Sequence, residues 1–477
     1  MNRATRSLLA IVGLQAFIGV ANAAEDLMDV YQRALQNDPG IREAEAAYLA
    51  NLEAKPQARS SILPLLTFRA GSSTSHSEDP NRPTNFATGV VDPDILSTEV
   101  DRDSSDWSVR LSQTIFDWGQ FLALKQADKI IAQAEANYQV AKQDLLVRVA
   151  TTYFLVLAAE DTLASEQAAR EAIGRQLEQA ERRFEVGLIA ITDVQEAQAG
   201  YDQAVAAEIG AQQNLATTRE FLREIIGEYV VDLAGPAEEI PLLAPDPATA
   251  EAWVERALGQ NVVLISSRIA TDIARDDISI QRSVRLPNVN LSGAVTASSS
   301  DTTRFNNLLQ NAPCFQDPPC PPTETPSRSD ADSYSFALNF SVPIYTGGFN
   351  ASRIQQSVYQ HRASLEFLER VARQTEREAR DAYLGVISEI SRVRALRQAV
   401  ESSRTALRAT EAGFEVGTRT TVDVLTSQNN LRRAETTYAR SRYDYILNVL
   451  RLKLAAGSLA VADMEEVNAW LEAAEGA

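Results

Sequence analysis

RRFEVGLIAITDVQEAQ, residues 182–198, and AGFEVGTRTTVDVLTSQ, residues 412–428, spell one Phe-Glu-Val-Gly…Asp-Val pattern twice in a single chain. Phe184 and Phe414 are 230 residues apart, and so are Gly187 and Gly417, and Asp193 and Asp423. Each copy reads as the turn of a helical hairpin. Gly187 is placed to end one helix with a left-handed residue. Thr192-Asp193-Val194-Gln195 has the spacing of a capping box that starts the next. Gly417 stands likewise between a helix that begins near Asn350 and one that leads to Leu454.

The repetition extends beyond the turns. RALQNDPGI (33–41) matches RALGQNVVL (256–264) at an offset of 223, and Leu63-Pro64 matches Leu286-Pro287 at the same offset. SQTIFDWG (112–119) matches SVPIYTGG (341–348) at 229, and TYFLVL (152–157) matches AYLGVI (382–387) at 230. A fixed offset over this range marks a whole-chain tandem repeat, with a seam near residues 228–250.

Prolines divide each repeat. None of the 18 falls between residues 94 and 235 or after Pro343. Proline breaks helix interiors, and the proline-free blocks are rich in Ala, Gln, Glu, Leu and Arg, all good helix formers. Ile131, Ala134, Tyr138, Ala141 and Leu145 recur at the 3-4-3-4 spacing of a coiled-coil seam. From Gln120 to Phe184 this predicts one helix of roughly 65 residues, about 95 Å long.

At its start the chain carries Arg3 and Arg6, an apolar run over residues 8–20, and Ala21-Asn22-Ala23. That is the pattern of a secretory signal cleaved between Ala23 and Ala24. The run is short of the ~18–20 apolar residues that a membrane anchor needs. Losing residues 1–23 removes two arginines and no acid, so the formal charge moves from −19 to −21. Such an acidic chain is a poor partner for nucleic acid. Its only two cysteines, Cys314 and Cys320, are six apart and placed to close a small loop in an oxidising compartment. Two thiols with no histidine nearby make a weak metal site.

Four segments alternate apolar and polar residues with period 2. Leu66, Phe68 and Ala70 form one apolar face, and Trp107, Val109, Leu111 and Ile115 another, interrupted by Gln113. Val289, Leu291 and Val295 form the third, and Phe336, Leu338, Phe340 and Val342 the fourth. At ~10–12 residues each suits a membrane barrel strand; period alone also fits the edge of a soluble sandwich. Trp107, Phe116, Trp118, Tyr345 and Phe349 lie near strand ends, where an interfacial belt would sit. Four strands leave two open edges, which a bilayer does not tolerate, so several copies must pool their strands. Long Pro-, Asp- and Ser-rich loops, about 76–105 and 300–333, belong on the outside of such a barrel. Cys314 and Cys320 would then face outward and the helices inward, to the periplasm.

LSQTIFDWGQ, RRFEVGLIAITDVQEAQ, SVPIYTGG and GTRTTVDVL, in this order and spacing, resemble the TolC family of outer-membrane efflux channels over the whole mature chain. The resemblance implies an α+β, mostly helical fold: a tandem-duplicated protomer of long coiled-coil hairpins plus four strands. It implies a homotrimer with a 12-stranded outer-membrane barrel continued by a periplasmic α-helical tunnel. It also implies docking on a periplasmic adaptor (membrane fusion protein) that links to an inner-membrane pump or ABC secretion transporter. The docking tips map to Val186, Gly187 and Leu188 and to Val416, Gly417 and Thr418, where the glycines also have a plain role in turning the chain. Arg419, which stands where the first repeat has Ile189, is expected to tie to Thr192 and Asp193 of a neighbouring hairpin and hold the entrance shut. Asp423 maps to a pore-facing position, where three copies would form a ring favouring cations; alternatively it only favours a helix N-terminus. Two departures loosen the pattern. The family's second inward acid is Thr426 here, and Phe414 cannot donate a hydrogen bond to Asp193.

The expected division is a signal peptide over 1–23 and repeats over 24–240 and 241–477. The first repeat has strands at about 63–75 and 106–117 and long helices at about 118–184 and 192–227. The second has strands at about 286–299 and 334–345, long helices at about 349–414 and 421–455, and a short C-terminal equatorial segment. No phosphate loop, nucleophile elbow or metal spacing suggests an enzyme or a cofactor. A soluble periplasmic coiled-coil scaffold accounts for the helices but not for the four alternating segments. A passive porin has no use for helices of this length.

Overall fold

Asp38 shows how one residue separates two helices. Its backbone N–H closes the preceding helix onto Ala34 O at 2.8 Å. Its Oδ2 accepts from Ile41 N–H at 3.0 Å to open the next helix, whose first position is Pro39, a residue with no N–H to leave unpaired. The 223-residue offset pairs Asp38 with Asn261, which does the same work. Asn261 N–H meets Ala257 O at 2.9 Å, and its Oδ1 accepts from Leu264 N–H at 3.1 Å.

The computed structural model describes residues 24–81, 96–230, 232–237, 240–306 and 323–472. Ala23, Cys314 and Cys320 lie outside the described residues; Ala24 is the first residue within them. In chain order the elements are α1 (Leu27–Asn37), α2 (Pro39–Leu52), α3 (Ala54–Ser60), β1 (Leu65–Asn81), β2 (Leu96–Phe116), α4 (Trp118–Glu185), α5 (Ile191–Ile226) and β3 (Gly235–Pro236). They continue with α6 (Ala250–Gln260), α7 (Val262–Ser283), β4 (Asn288–Asn306), β5 (Thr323–Ser341), α8 (Phe349–Glu415), α9 (Thr421–Ala455), α10 (Val461–Asn468) and β6 (Leu471–Glu472). This is the expected class of fold, long helical hairpins with four principal strands. The compact bodies, however, do not follow the two repeats, because each draws on both halves of the chain.

One body comprises the described parts of Met1–Tyr48, Ala134–Arg268 and Phe367–Ala477. Its core gathers Leu27, Val30 and Ala34 of α1, Leu145, Val149, Tyr153 and Phe154 of α4, Ile226 of α5, Val386 of α8, Ile446 and Leu450 of α9, and Met464 of α10. The expected seam residue Leu145 is fully buried, and Tyr138 and Ala141 pack against the same core. Tyr153 ties α4 to both ends of the first repeat: its hydroxyl donates to Ala234 O at 2.6 Å and to Glu25 O at 3.1 Å. Burial pushes this phenol well above the usual tyrosine range, so it stays a donor. The short C-terminal segment locks onto the N-terminus, where Asn468 Oδ1 accepts from Leu27 N–H at 2.9 Å and its Nδ2 donates to Asp26 at 2.8 Å.

Polar pairs set the register of the long helices in this body. Arg219 of α5 meets Glu160 of α4 at 2.8 Å, and Arg170 of α4 meets Glu208 of α5 at 2.8 Å. Positions rise along one helix as they fall along the other, as antiparallel neighbours require. On α9, Tyr443 donates to Asp161 of α4 at 2.6 Å, and Arg432 pairs with the buried Glu166 of α4. Arg404 of α8 reaches Glu435 of α9 at 3.3 Å.

The other body comprises Leu49–Gln133 and Ile269–Glu366, described as far as stated above. Its sheet is antiparallel throughout, in the order β1-β2-β4-β5, so β1 and β5 are the edges. Below the sheet, Lys129 pairs with Asp276 at 2.6 Å, and the buried Gln126 donates to Ile273 O at 3.0 Å and to Asp277 at 2.7 Å, which fastens α4 to α7.

Two strand expectations are corrected here. The strands run past residues 75 and 299 and start before 106 and 334, through stretches expected to be loop: β1 has 17 residues, β2 has 21, and β4 and β5 have 19 each. Apolar alternation stops where the apolar band stops, but backbone pairing does not. Beyond the band, Ser73–Ser104 at 2.9 Å and Ser299–Asp330 at 2.7 Å join neighbouring strands by side-chain hydrogen bonds. The second correction concerns Ile115. The ladder slips between Thr114 and Phe116, so Phe116 rather than Ile115 pairs with Val289 and takes the apolar face. A bulge adds one residue to the strand and so reverses the alternation after it.

Asp38 also holds Arg148 in a two-pronged pair, Nη2–Oδ2 at 2.6 Å and Nη1–Oδ1 at 3.3 Å. Asp38→Ala should lose this pair together with the α2 cap, destabilising the protein by about 2–3 kcal/mol. Asp38→Asn should lose clearly less, because Asn261 shows that an amide serves as the same cap. Apparent melting temperatures of the two variants in detergent would check the order.

Candidate functional site at the hairpin tips

Both hairpin turns close with the same backbone hydrogen bonds. At the end of α4, Leu188 N–H reaches Arg183 O at 2.9 Å and Gly187 N–H reaches Phe184 O at 2.8 Å. At the end of α8, Thr418 N–H reaches Gly413 O at 2.8 Å and Gly417 N–H reaches Phe414 O at 3.1 Å. This is the Schellman pattern, which requires a left-handed residue at the turn. Gly187 and Gly417 each supply it at φ 74°. The turns present Val186, Leu188 and Val416 to solvent, Val416 at 75 % exposure, with Thr418 beside them.

The helix starts that follow are built differently. The capping box expected at Thr192-Asp193-Val194-Gln195 is displaced: α5 starts at Ile191, with Ala190 as its cap residue and Asp193 at the third helical position. Alanine has no side-chain oxygen to offer, so only half a box forms, Ala190 N–H donating to Asp193 Oδ2 at 3.3 Å. Apolar packing compensates, because Ile189 lies against the small cluster of Ala180, Val194 and Ala197. A residue before the cap packed on the fourth helical position is a hydrophobic staple. Thr192 is exposed, at the second position of α5.

In the second tip the box is complete. Asp423 N–H donates to Thr420 Oγ1 at 3.2 Å, and Asp423 Oδ2 accepts from Thr420 N–H at 2.9 Å and from Thr420 Oγ1 at 3.1 Å. These bonds, with a smaller contribution from Arg419 nearby, hold the Asp423 carboxyl below the usual aspartate range. Asp423 therefore caps α9 whatever else it does. Arg419 replaces the staple residue; it is exposed and makes no ion pair among the described residues. The expected tie from Arg419 to Thr192 and Asp193 is thus not made within one protomer. Thr426 is exposed one turn on, lining with Glu196, Gly200, Arg432 and Arg433 a groove of about 660 Å³ between α4, α5 and α9.

The contact that does join the two tips was not expected. The Arg183 guanidinium lies 5.2 Å from the centroid of the Phe414 ring, within the range of a cation–π interaction. The 230-residue offset sets Arg183 opposite Gly413, and this difference was the available signal. A Cβ on Gly413 would come within 2.8 Å of the Arg419 side chain, so a side chain there would have to displace Arg419.

The sequence profile of the family described as "Outer membrane efflux protein" matches residues 30–228 and 253–458. The chain belongs to that family. It is 36 % identical over 452 residues, 95 % of each chain, to the outer membrane protein TolC of Vibrio cholerae. It is 27 % identical to the alkaline protease secretion protein AprF of Pseudomonas aeruginosa, covering 93 % of this chain and 86 % of AprF. Among solved structures, the Campylobacter jejuni CmeC outer-membrane channel superposes with a TM-score of 0.69 at 15 % identity, over 99 % of this chain and 98 % of that one. This member of the outer membrane efflux protein family is an outer-membrane transport channel, not an enzyme, with its helical portion in the periplasm. No helix among the described residues is long and apolar enough to cross a membrane.

A double-mutant cycle on Arg183→Ala and Phe414→Ala should return a coupling of about 0.5–1 kcal/mol, read from amide exchange over residues 412–420. For Asp423 the folded pKa is depressed, so its stabilisation is present above the unfolded value, near 3.8, and is lost as pH falls through the lower folded value. Exchange at the start of α9, corrected for intrinsic rates, should stay flat from pH 7 to 5 and rise only below about pH 4. Asp423→Asn should abolish that step.

Proposed function

We propose that the protein is the exit duct of tripartite efflux pumps and of type I protein secretion, opened at its hairpin tips by a periplasmic adaptor that links it to an inner-membrane pump. The observation that carries this reading is the sheet. Its apolar face is open to solvent in the protomer, with Phe336, Leu338 and Phe340 at 74, 67 and 70 % exposure, and the outer edges of β1 and β5 have no partner strand among the described residues. Three copies would pair β5 of one with β1 of the next and close a 12-stranded barrel, with the apolar faces outward to lipid. Both functions of the reading have a counterpart among the relatives, an efflux family and a protease secretion protein.

In a trimer, six tips would ring the periplasmic entrance. Val186, Gly187, Leu188, Val416, Gly417 and Thr418 would form the docking surface for the adaptor. Arg419, which makes no ion pair among the described residues of its own protomer, would meet Thr192 and Asp193 of the neighbouring one. Exposed ties of this kind are worth ~0–1 kcal/mol each, weak enough for an adaptor to release as a set. Three Asp423 carboxylates would make the entrance cation-selective while still capping their helices. With Thr426 in place of a second acid, that selectivity rests on one ring.

Single-channel recording in planar bilayers tests the proposal. The wild type should give small, cation-selective currents. Arg419→Ala should enlarge them, and Asp423→Ala should weaken the selectivity. Well-folded protein that never inserts would overturn the barrel. Large currents indifferent to both substitutions would remove the gate from these residues.

A further inference from the structure

A second cluster lies in the sheet, on the face that carries the apolar band but beyond its end. Strand pairing places His76 directly opposite Asp101, and Glu78 opposite Glu99. Side chains of one strand share a face at every second residue, so these four residues stand on the face of Phe68, Ala70, Trp107 and Val109. The pair Ala70–Trp107 closes the band. Ser72–Ser105 and Thr74–Asp103 follow before His76–Asp101, which places the cluster about 20 Å further along the strands.

We propose that His76, Glu99 and Asp101 form a binding site for a divalent transition-metal ion of the zinc class. Three observations carry the assignment. His76 Nδ1 lies 2.7 Å from Asp101 Oδ1 and 3.7 Å from Glu99 Oε1, and one ligand atom from each residue falls within 4.8 Å of the others. Nitrogen and oxygen ligands about 2.1 Å from a tetrahedral zinc stand roughly 3.4 Å apart, a spacing that the observed distances bracket. Only small side-chain rotations on a fixed ladder separate the set from a coordinating one.

The charges also fit. Two carboxylates balance a divalent ion, and the register sends Arg102 and Arg304 to the opposite face. Arg328, on the same face, is already taken by Asp330 at 3.1 Å and Asp301 at 3.9 Å. The donor set selects the metal class. Calcium and magnesium call for six or more oxygens and gain little from an imidazole, whereas zinc and its neighbours favour one nitrogen with carboxylates and solvent in the remaining position. Because the ligands come from both β1 and β2, a bound ion would clip the two strands together at the end remote from the helices.

The test is calorimetric titration of the full-length protein with zinc chloride, in detergent and without a polyhistidine tag, with Cys314 and Cys320 replaced by serine in every form. One site per chain is expected. His76→Ala should weaken it at least ~10-fold, while His361→Ala, which removes the only other histidine, should leave it unchanged. Asp101→Asn should weaken zinc binding as well and reports independently on the carboxylate. Zinc affinity that survives His76→Ala, or calcium binding as tight as zinc, would reduce the cluster to an ordinary acidic surface and overturn the proposal. No binding to the parent protein would do the same.

Discussion

The outward edges of β1 and β5 present backbone N–H and C=O groups that find no partner among the described residues of their own chain. In hydrocarbon each such group costs several kcal/mol, and a sheet with one apolar face has nowhere else to put it. This one deficit governs the protein. Among the described residues each repeat gives this sheet two strands, and its two outer edges stay open. In the proposed trimer, neighbouring copies would complete the sheet. The ladder continues past the apolar band through serine and threonine pairs that alternation does not reveal. The strands therefore reach beyond the region where lipid alone would demand them.

The helical body meets a different requirement. Helices as long as α4 and α8 cannot depend on one compact core along their whole length, and the buried aromatic and aliphatic residues gather around Tyr153, Phe154 and Tyr445. Elsewhere the stripes are mostly alanine, which allows close approach but specifies register weakly. Pairs such as Glu160–Arg219, Arg170–Glu208 and Glu166–Arg432 supply the missing specification. A register slip would leave Glu166 and Glu208, both largely buried, without their arginines, and an unpaired buried charge is costly.

At the tips, duplication supplies the turn and divergence supplies the difference. The same glycine conformation and the same hydrogen bonds end α4 and α8. Three substitutions between the copies then separate their roles. Arg183 against Gly413 gives one tip the cation that reaches the other tip's Phe414 ring. Ile189 against Arg419 exchanges an apolar staple for an exposed charge, and Ala190 against Thr420 exchanges half a capping box for a complete one. The first tip is thus held from inside by packing, and the second by polar bonds that leave its arginine available.

Much of this was legible in the chain. Proline placement, the repeat offsets and helix-forming composition determined the long helices, since those signals are local and recur twice. Glycine at 187 and 417 determined the turns, because few other residues tolerate positive φ. Four alternating segments determined that a sheet with one apolar face exists. What only the tertiary structure decided depends on contacts between segments far apart in sequence. The bulge that exchanges Ile115 for Phe116 lies in the pairing of two strands from different repeats. The strands' full length is set by backbone pairing where both faces are polar. The α5 cap falls at Ala190 rather than Thr192, where Ile189 and Val194 pack against Ala180 of α4. The Arg183–Phe414 contact joins residues more than two hundred positions apart, and no local pattern brings a guanidinium to a ring across that distance.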